Sequence, residues 1–487
     1  MNILDKRALK NIHEATLEVL EKTGIKIEVR SLLASLEEKG CKIDYNNSIA
    51  KIPPKIINDV INQVKEEESW KKINFPLSVH EFHEKDNEGI VNIASTFGGG
   101  CDEFFDFDLG KSRIPNANDL VNMIQLGNFL DEIKTVGNPV VCKQDFEGKD
   151  IDPKIQTITG ASLIAKNTFK PGTSEVWSAK ELDYLIEIGK IVRNGMDNYR
   201  KNPCFYSSIN VTSPLFLDKV EGEILLKLIE NDLPCPILSS PMAGGTSSIT
   251  LLGTVVQSNA ELFGVFTAIK SYKEDTPVLG SIISGVLNMK DASLNYSGPE
   301  AIIQNFGLYE LWKNYYGIYC GVGLHYCSDA KYPGIQSSVE KTMAIASSCF
   351  LGNAVYPVGI LNSSKAFSPE QAILDLEIAN EVFHFFQELK FSEADLSVDA
   401  IYRVGPRGSY LDNESTLRGF RNIWYPKIFD RSIRKGGKYD FKDRALIKAN
   451  KFWKQILKEN EPYKISKDKS EEIDLVAEKA KKELLES

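Results

Sequence analysis

The sequence predicts an α/β protein, a TIM (β/α)8 barrel with a helical extension before it and a helical tail behind it. Two observations carry this expectation. From about residue 118 to 400, strand-like apolar runs alternate with helical stretches of roughly 12 to 22 residues. The runs are Lys134–Val141, Phe169–Val176, Cys204–Val211, Cys235–Ser240, Pro277–Ile283, Ile318–Tyr326 and Asn353–Leu361. In addition, no Gly-x-Gly-x-x-Gly follows any of them, which counts against a doubly wound open sheet. The eighth strand falls either on Val91–Ser95 or on a short piece around Ile401–Val404.

Residues 1–88 read as a helical extension. Leu9, Ile12, Thr16, Val19 and Leu20 recur at helical spacing and stop at Gly24. A second helix, Ser31 to Lys39, ends at Gly40, and Pro53–Pro54 open a third from Lys55 to Val64. Phe104–Phe107 and the turn Asp108–Lys111 read as β-structure leading into the barrel, which spans 89–436. Within it, Ser178 with Glu181, Ser297 with Glu300, and Ser368 with Gln371 each fit a capping box at a helix start. Residues 437–487 are rich in Lys and Glu with spaced apolar residues (Phe452, Ile456, Leu457, Ile473, Val476, Ala480) and read as a helical tail. The tail is expected either to pack outside the barrel or on a partner subunit or, as the plainer and favoured reading, to be simply solvated.

Bulk properties exclude some classes. The 67 acids against 58 bases give a net charge of −9, which argues against a nucleic-acid surface. No stretch approaches about eighteen uninterrupted apolar residues, so no membrane partner is expected. The first residues run straight into an amphipathic helix, so no secretory signal is expected. The 8 cysteines stand singly, without Cys-x-x-Cys, as reduced buried side chains do in the cytoplasm.

Barrel sites are built on loops after the strands' carboxyl ends. Here those loops are Ser208–Leu215, Met242–Ser248, Gly321–Lys331 and Tyr356–Ser363, mostly small or hydroxylic, with aromatics at their edges. The stretch Pro241–Ser248 ahead of an apolar helix suggests backbone N–H groups held open for a ligand. Of the 5 histidines, His80 and His83 read as surface residues and His384 as a core or flank residue of a helix, while His325 stands at a strand's active end. Cys320, His325 and Cys327 are zinc-type ligands, but strand alternation turns Cys320 away from the other two. Ser213 or Ser247 with His325 and Asp329 would make a triad, yet Gly-x-Ser-x-Gly is missing. Gly98–Gly99–Gly100 lacks the Gly-Lys-Ser/Thr of a phosphate loop and reads as a turn.

Several stretches match one family together. They are His13–Glu14–Ala15 with Leu17–Gly24, Ile52–Pro53–Pro54, Val211–Leu215, Ser240–Gly245 with Thr250–Leu251, Gln257–Glu261, Ser328–Lys331 with Gln336 and Glu340–Lys341, and Val404–Gly405–Pro406. Along nearly its full length the chain resembles the trimethylamine:corrinoid methyltransferase (MttB-like) family. The resemblance implies a barrel that moves a methyl group from a methylated amine to the Co(I) corrinoid of a cognate corrinoid protein. It implies that no cofactor is bound permanently; a homo-oligomer is compatible with it. Trimethylamine-specific members carry pyrrolysine, whereas every position here is a standard residue. That points to the branch acting on quaternary amines such as glycine betaine. Members often show Gly-His-Phe-Leu and His-Thr late in the barrel, where this chain has Gly408–Ser409–Tyr410–Leu411 and Ser415–Thr416.

Under that resemblance His325, Asp329 and Glu340 are the candidate catalytic residues. A quaternary ammonium has no N–H, so aromatic faces and a carboxylate must hold it. Tyr326, Tyr356, Trp177, Phe205 and Tyr206 are candidate faces, with Asp329 or Glu340 as countercharge. A substrate carboxylate would be met by His325, Lys331, Gln336, Ser213 or the backbone of Gly244, Gly245 and Thr246. Two other expectations stand beside this one: a non-catalytic scaffold for the corrinoid protein, favoured by Ser409 and Ser415, and a zinc-dependent barrel methyltransferase.

Overall fold

The computed structural model describes residues 3–73, 94–322, 327–351, 355–386, 393–432 and 444–486. His80, His83, His325 and Tyr326 lie outside them.

Three helices open the chain: α1 (Lys6–Lys22), α2 (Arg30–Glu38) and α3 (Pro54–Glu66). Gly24 and Gly40 follow α1 and α2 at φ +84° and +96°, where a side chain would be strained. A small sheet fastens this extension to the rest. Ile25–Ile27 pairs antiparallel with Ile49–Lys51 and parallel with Phe216–Leu217.

The main body alternates strands and helices. Its strands are β1 (Ala94–Phe97), β2 (Ile133–Val136), β3 (Gly172–Thr173), β4 (Phe205–Tyr206), β5 (Ile209–Val211), β6 (Cys235–Ser239), β7 (Val278–Ile282), β8 (Cys320–Val322) and β9 (Val355–Pro357). Between them run α4 (Ala117–Phe129), α5 (Pro153–Asn167), α6 (Ala179–Arg193), α7 (Lys219–Glu230), α8 (Leu251–Tyr272), α9 (Pro299–Glu310) and α10 (Ile335–Leu351). Helix α11 (Pro369–Phe385) follows β9.

All pairings among β1–β9 are parallel, in the runs β9–β1–β2, β3–β4 and β5–β6–β7–β8. Among the described residues these runs do not close into a ring, so the architecture established here is α/β with many helices. The open choice for a further strand is resolved toward Ala94–Phe97. The alternative fails because Val398–Val404 is a helix, α12.

Two of the three expected caps form: Ser178 and Ser368 accept the N–H of Glu181 and Gln371. The third does not. Gly298 caps α9, and the Ser297 hydroxyl instead donates to Asp329 at 2.6 Å.

After α13 (Glu414–Gly419), the tail forms α14 (Arg444–Glu459) and α15 (Lys467–Glu486). The solvated reading of this tail is corrected. Ile473, Ala477, Ala480 and Leu484 are buried, with α15 packed on α5 and α6. Glu370 accepts Asn450 Nδ2 and Trp453 Nε1 from α14 at 3.0 and 2.8 Å. Apolar spacing at a helical period had already marked a buried stripe. No helix among the described residues is long and apolar enough to cross a membrane.

Candidate active site

Strand register decides which side chains face the space enclosed by the parallel strands. A Cβ placed on Gly280 would lie 3.0 Å from the Trp312 ring and 3.4 Å from Phe266 on α8, so Gly280 faces the helices. Its register partners Ile237 and Cys320 share that face. The alternate row, Asn210–Leu238–Ser281–Gly321, faces inward across β5 to β8. All four are half-exposed, whereas Ile209, Ile237, Ile282 and Val322 beside them are buried. The interior is therefore open at this level and lined by small or uncharged groups. By the same parity Cys320 faces the helices; the other zinc-type ligand of the strand, His325, lies outside the described residues. Burial pushes the Cys320 and Cys327 thiols far above their ordinary range.

The loop after β8 is stitched to its neighbours. Asp329 accepts four hydrogen bonds: Ser297 Oγ and N at 2.6 and 3.1 Å, Ser363 Oγ at 2.8 Å and Tyr296 N at 3.2 Å. Glu340 accepts from the Ser328 hydroxyl, Asp329 N at 2.9 Å and Gln336 Nε2 at 2.7 Å. Ser328 and Asn362 backbone N–H groups donate to Ile360 and Ala330 carbonyls, binding this loop to the one after β9. Both carboxylates thus fix loop geometry. Behind them Lys341 pairs with fully buried Asp375, which also accepts Gly359 N at 2.8 Å.

The Gly244–Gly245–Thr246 turn differs from its expected form. The N–H groups of Gly245, Thr246 and Ser247 all point to the Met242 carbonyl at 2.9–3.0 Å, and that of Gly244 to the Ser247 carbonyl. The turn is closed on itself by backbone bonds and does not hold those donors open. Glu261, on the helix side, accepts Ser213 Oγ at 2.9 Å, Ser239 Oγ at 2.6 Å, Leu215 N at 3.0 Å and Gln257 Nε2 at 2.9 Å. The shared motif around it is a brace for the loop after β5, and Ser213 belongs to that brace. Asn259 serves likewise. It bonds Thr16 on α1, Tyr316 and Trp312 at 2.8–3.0 Å, and Tyr316 in turn meets His13 Nδ1 at 3.1 Å.

The candidate aromatics scatter. Phe205 and Tyr206 are buried in β4; Trp177 is 72% exposed at the start of α6. Tyr356 lies in β9 opposite Ser95. Lys331 and Gln336 are exposed beside the β8 loop. His384 flanks α11 against Trp424, as a flank residue should.

Sequence reasoning missed two carboxylates. Glu175 stands just past β3, and Glu221 in the first turn of α7. Burial, together with the negative charge of Glu221, pushes Glu175 up to about 8, against a donating Ser208 N–H. Burial pushes Glu221 up to about 7, although Asn210 Nδ2, from the inward row, donates to it at 3.2 Å. Glu175 carried one signal, an acid near the end of the strand-like run Phe169–Val176. Glu221 carried none, since a first-turn acid reads as ordinary helix chemistry.

Comparison with known proteins places these features. A family model described as Trimethylamine methyltransferase (MTTB) matches residues 1–484. The trimethylamine methyltransferase MttB of Desulfitobacterium hafniense (strain DSM 10664 / DCB-2) is 28% identical over 469 residues, covering 93% of this chain and 90% of that protein. The glycine betaine methyltransferase of Desulfitobacterium hafniense (strain Y51) is 27% identical over 378 residues, 76% of each chain. The crystal structure of the Methanosarcina barkeri monomethylamine methyltransferase (MtmB) superposes with a TM-score of 0.52 at 12% identity, covering 100% of this chain and 88% of that one. The family model spans nearly the whole chain, and the chain belongs to the trimethylamine methyltransferase (MttB) family.

Proposed function

We propose that this enzyme removes a methyl group from a quaternary amine, glycine betaine or a related betaine, and passes it to the corrinoid of a partner protein. In this reading the parallel strands complete a (β/α)8 barrel over residues 89–436, flanked by the extension 1–88 and the tail 437–487. The Val136 N–H that donates to the Pro171 carbonyl, bridging β2 to the edge of β3, supports closure. The observation that carries the functional reading is the half-exposed row Asn210–Leu238–Ser281–Gly321 beside the Glu175–Glu221 pair.

Glu175 and Glu221 replace Asp329 and Glu340 as the countercharge, because the latter two are saturated by loop donors. Two carboxylates that feel each other's charge repel one another, and a permanent cation relieves that repulsion. Each aromatic face that meets the cation would add roughly 0.5–2 kcal/mol; Tyr326 and Tyr356 are proposed for this. Asp329 and Glu340 act as positioning residues that fix the loop after β8, and His325 is proposed for the substrate carboxylate. Lys331 and Gln336 stand at that loop's exposed edge. The small side chains of Ser281 and Gly321 leave room for close approach of the acceptor. A Co(I) corrinoid would supply the nucleophile for the methyl carbon. The amine then leaves neutral, so the chain need donate no proton, and its work is orientation and exclusion of water.

The test mixes the purified protein with reduced cobalamin and a panel of betaines and tertiary amines, following the corrinoid absorbance. A methylated corrinoid and a demethylated amine are expected with at least one betaine. A flat response to the whole panel overturns the reading and leaves the scaffold role.

A further inference from the structure

The loop after β9 passes through three successive residues in the left-handed region, Asn362, Ser363 and Ser364, at φ +52°, +52° and +76°. Glycine adopts that region freely and asparagine tolerates it, whereas a serine stays there only when its surroundings hold it. The turn closes a short hairpin. Ile360–Leu361 pairs antiparallel with Ala366–Phe367, and the Lys365 N–H donates to the Asn362 carbonyl at 3.2 Å. Hairpin turns with positive φ at both central residues ordinarily carry Asn-Gly there; this chain carries Ser363–Ser364.

Bonds offset the strain at the first two positions. The Asn362 and Ser363 N–H groups donate to the Ala330 and Ser328 carbonyls at 2.8 and 3.0 Å. Ser363 Oγ lies within reach of the Leu294 carbonyl at 3.0 Å and of Asp329 Oδ1 at 2.8 Å. Ser363 therefore joins the loops after β7, β8 and β9. Ser364 has no such offset. It is half-buried, and among the described residues neither its N–H nor its hydroxyl has a hydrogen-bond partner. A glycine would make the same turn without strain. What the serine adds is one hydroxyl beside a free N–H.

Two adjacent donors on a turn pinned by its neighbours suit a carboxylate. The turn also stands where a carboxylate is wanted. It follows the carboxyl end of a parallel strand, the end at which barrels bind substrate. In strand order β8 is three places from β5, and β9 is three places from β3 by way of β1 and β2. The turn is thus well removed in that order from Glu175 and from Asn210, the partner of Glu221. A zwitterion with its ammonium toward the acidic pair must extend its own carboxylate away from that pair, since like charges repel. We propose that Ser364 binds the carboxylate of the betaine through its hydroxyl and its N–H, and so selects zwitterionic quaternary amines over purely cationic ones. The proposal rests on the betaine reading.

Titration calorimetry on the full chain tests it, with glycine betaine and with choline, which keeps the trimethylammonium group and lacks the carboxylate. Ser364→Ala is expected to weaken glycine betaine binding at least about 10-fold while choline binding moves by less than about twofold. In turnover, KM for the betaine should rise with kcat held, as loss of binding common to ground and transition states requires. Ser364→Gly should lose the same betaine affinity yet raise the melting temperature, because the strain goes with the side chain. Asn362→Gly relaxes the same turn but keeps Ser364, and should leave betaine affinity unchanged. A wild-type chain that binds no betaine overturns the substrate reading and this proposal with it. A wild-type chain that binds glycine betaine, with a betaine-to-choline ratio that Ser364→Ala leaves unchanged, overturns this proposal alone. So does a Ser364→Gly variant that is stabilised at full betaine affinity.

Discussion

Two acidic pairs, Asp329 with Glu340 and Glu175 with Glu221, are built in opposite ways. At the β8 loop, Asp329 accepts four hydrogen bonds from three residues, and Glu340 joins the loop to α10. By contrast, Glu175 accepts the Ser208 N–H and feels the negative charge of Glu221, Glu221 accepts Asn210 Nδ2, and both are driven toward the neutral form. A carboxylate surrounded by donors is a fastener; one with few donors and a like charge nearby is held toward its neutral form. Sequence does not separate the two, because both are acids near strand ends. Donor geometry does.

The comparison is broken most sharply by neutralising the Glu175–Glu221 pair. Glu175→Gln combined with Glu221→Gln should lower kcat/KM for a betaine about 100-fold, mainly through KM, with the melting temperature held or raised. Asp329→Asn should do the reverse. It turns an NH2 group against donors and should cost about 2 kcal/mol of stability, measured by denaturant unfolding, with a smaller loss of kcat/KM.

The pH dependence sharpens the contrast further. The folded values of about 7 and about 8 lie above the unfolded carboxyl value, so the folded state holds more protons. That contribution to stability is complete below about pH 4.5 and is lost as pH rises through 7 to 8. A saturating betaine should reduce the loss, read as melting temperature against pH with and without ligand. The smallest effect concerns His13. Burial lowers its pKa, so the unfolded state holds the extra proton, and stability present above about pH 6.5 declines as pH falls. His13→Gln should flatten that acid limb.

Much of the scaffold was legible. Gly24 and Gly40 stop helices where the apolar period ends, and Ser178 and Ser368 cap as their sequences suggest. The failures share a cause: a local signal was satisfied by something distant. Ser297 looked like a cap, but Asp329, 32 residues away, takes its hydroxyl. Gly244–Gly245 looked like an open anion cradle, but the Met242 carbonyl gathers the N–H groups. The Glu175–Glu221 corner was illegible for the converse reason. Its chemistry comes from burial and from a neighbour 46 positions on, neither of which leaves a pattern in the chain.

The placement of α15 carries a consequence for how the molecule is made. Lys166 on α5 meets Asp474, and Tyr184 on α6 meets Glu483, partners synthesised about 300 residues later. The outer faces of α5 and α6 therefore stay uncovered through most of translation. A nascent chain halted before residue 467 would present that greasy flank to chaperones.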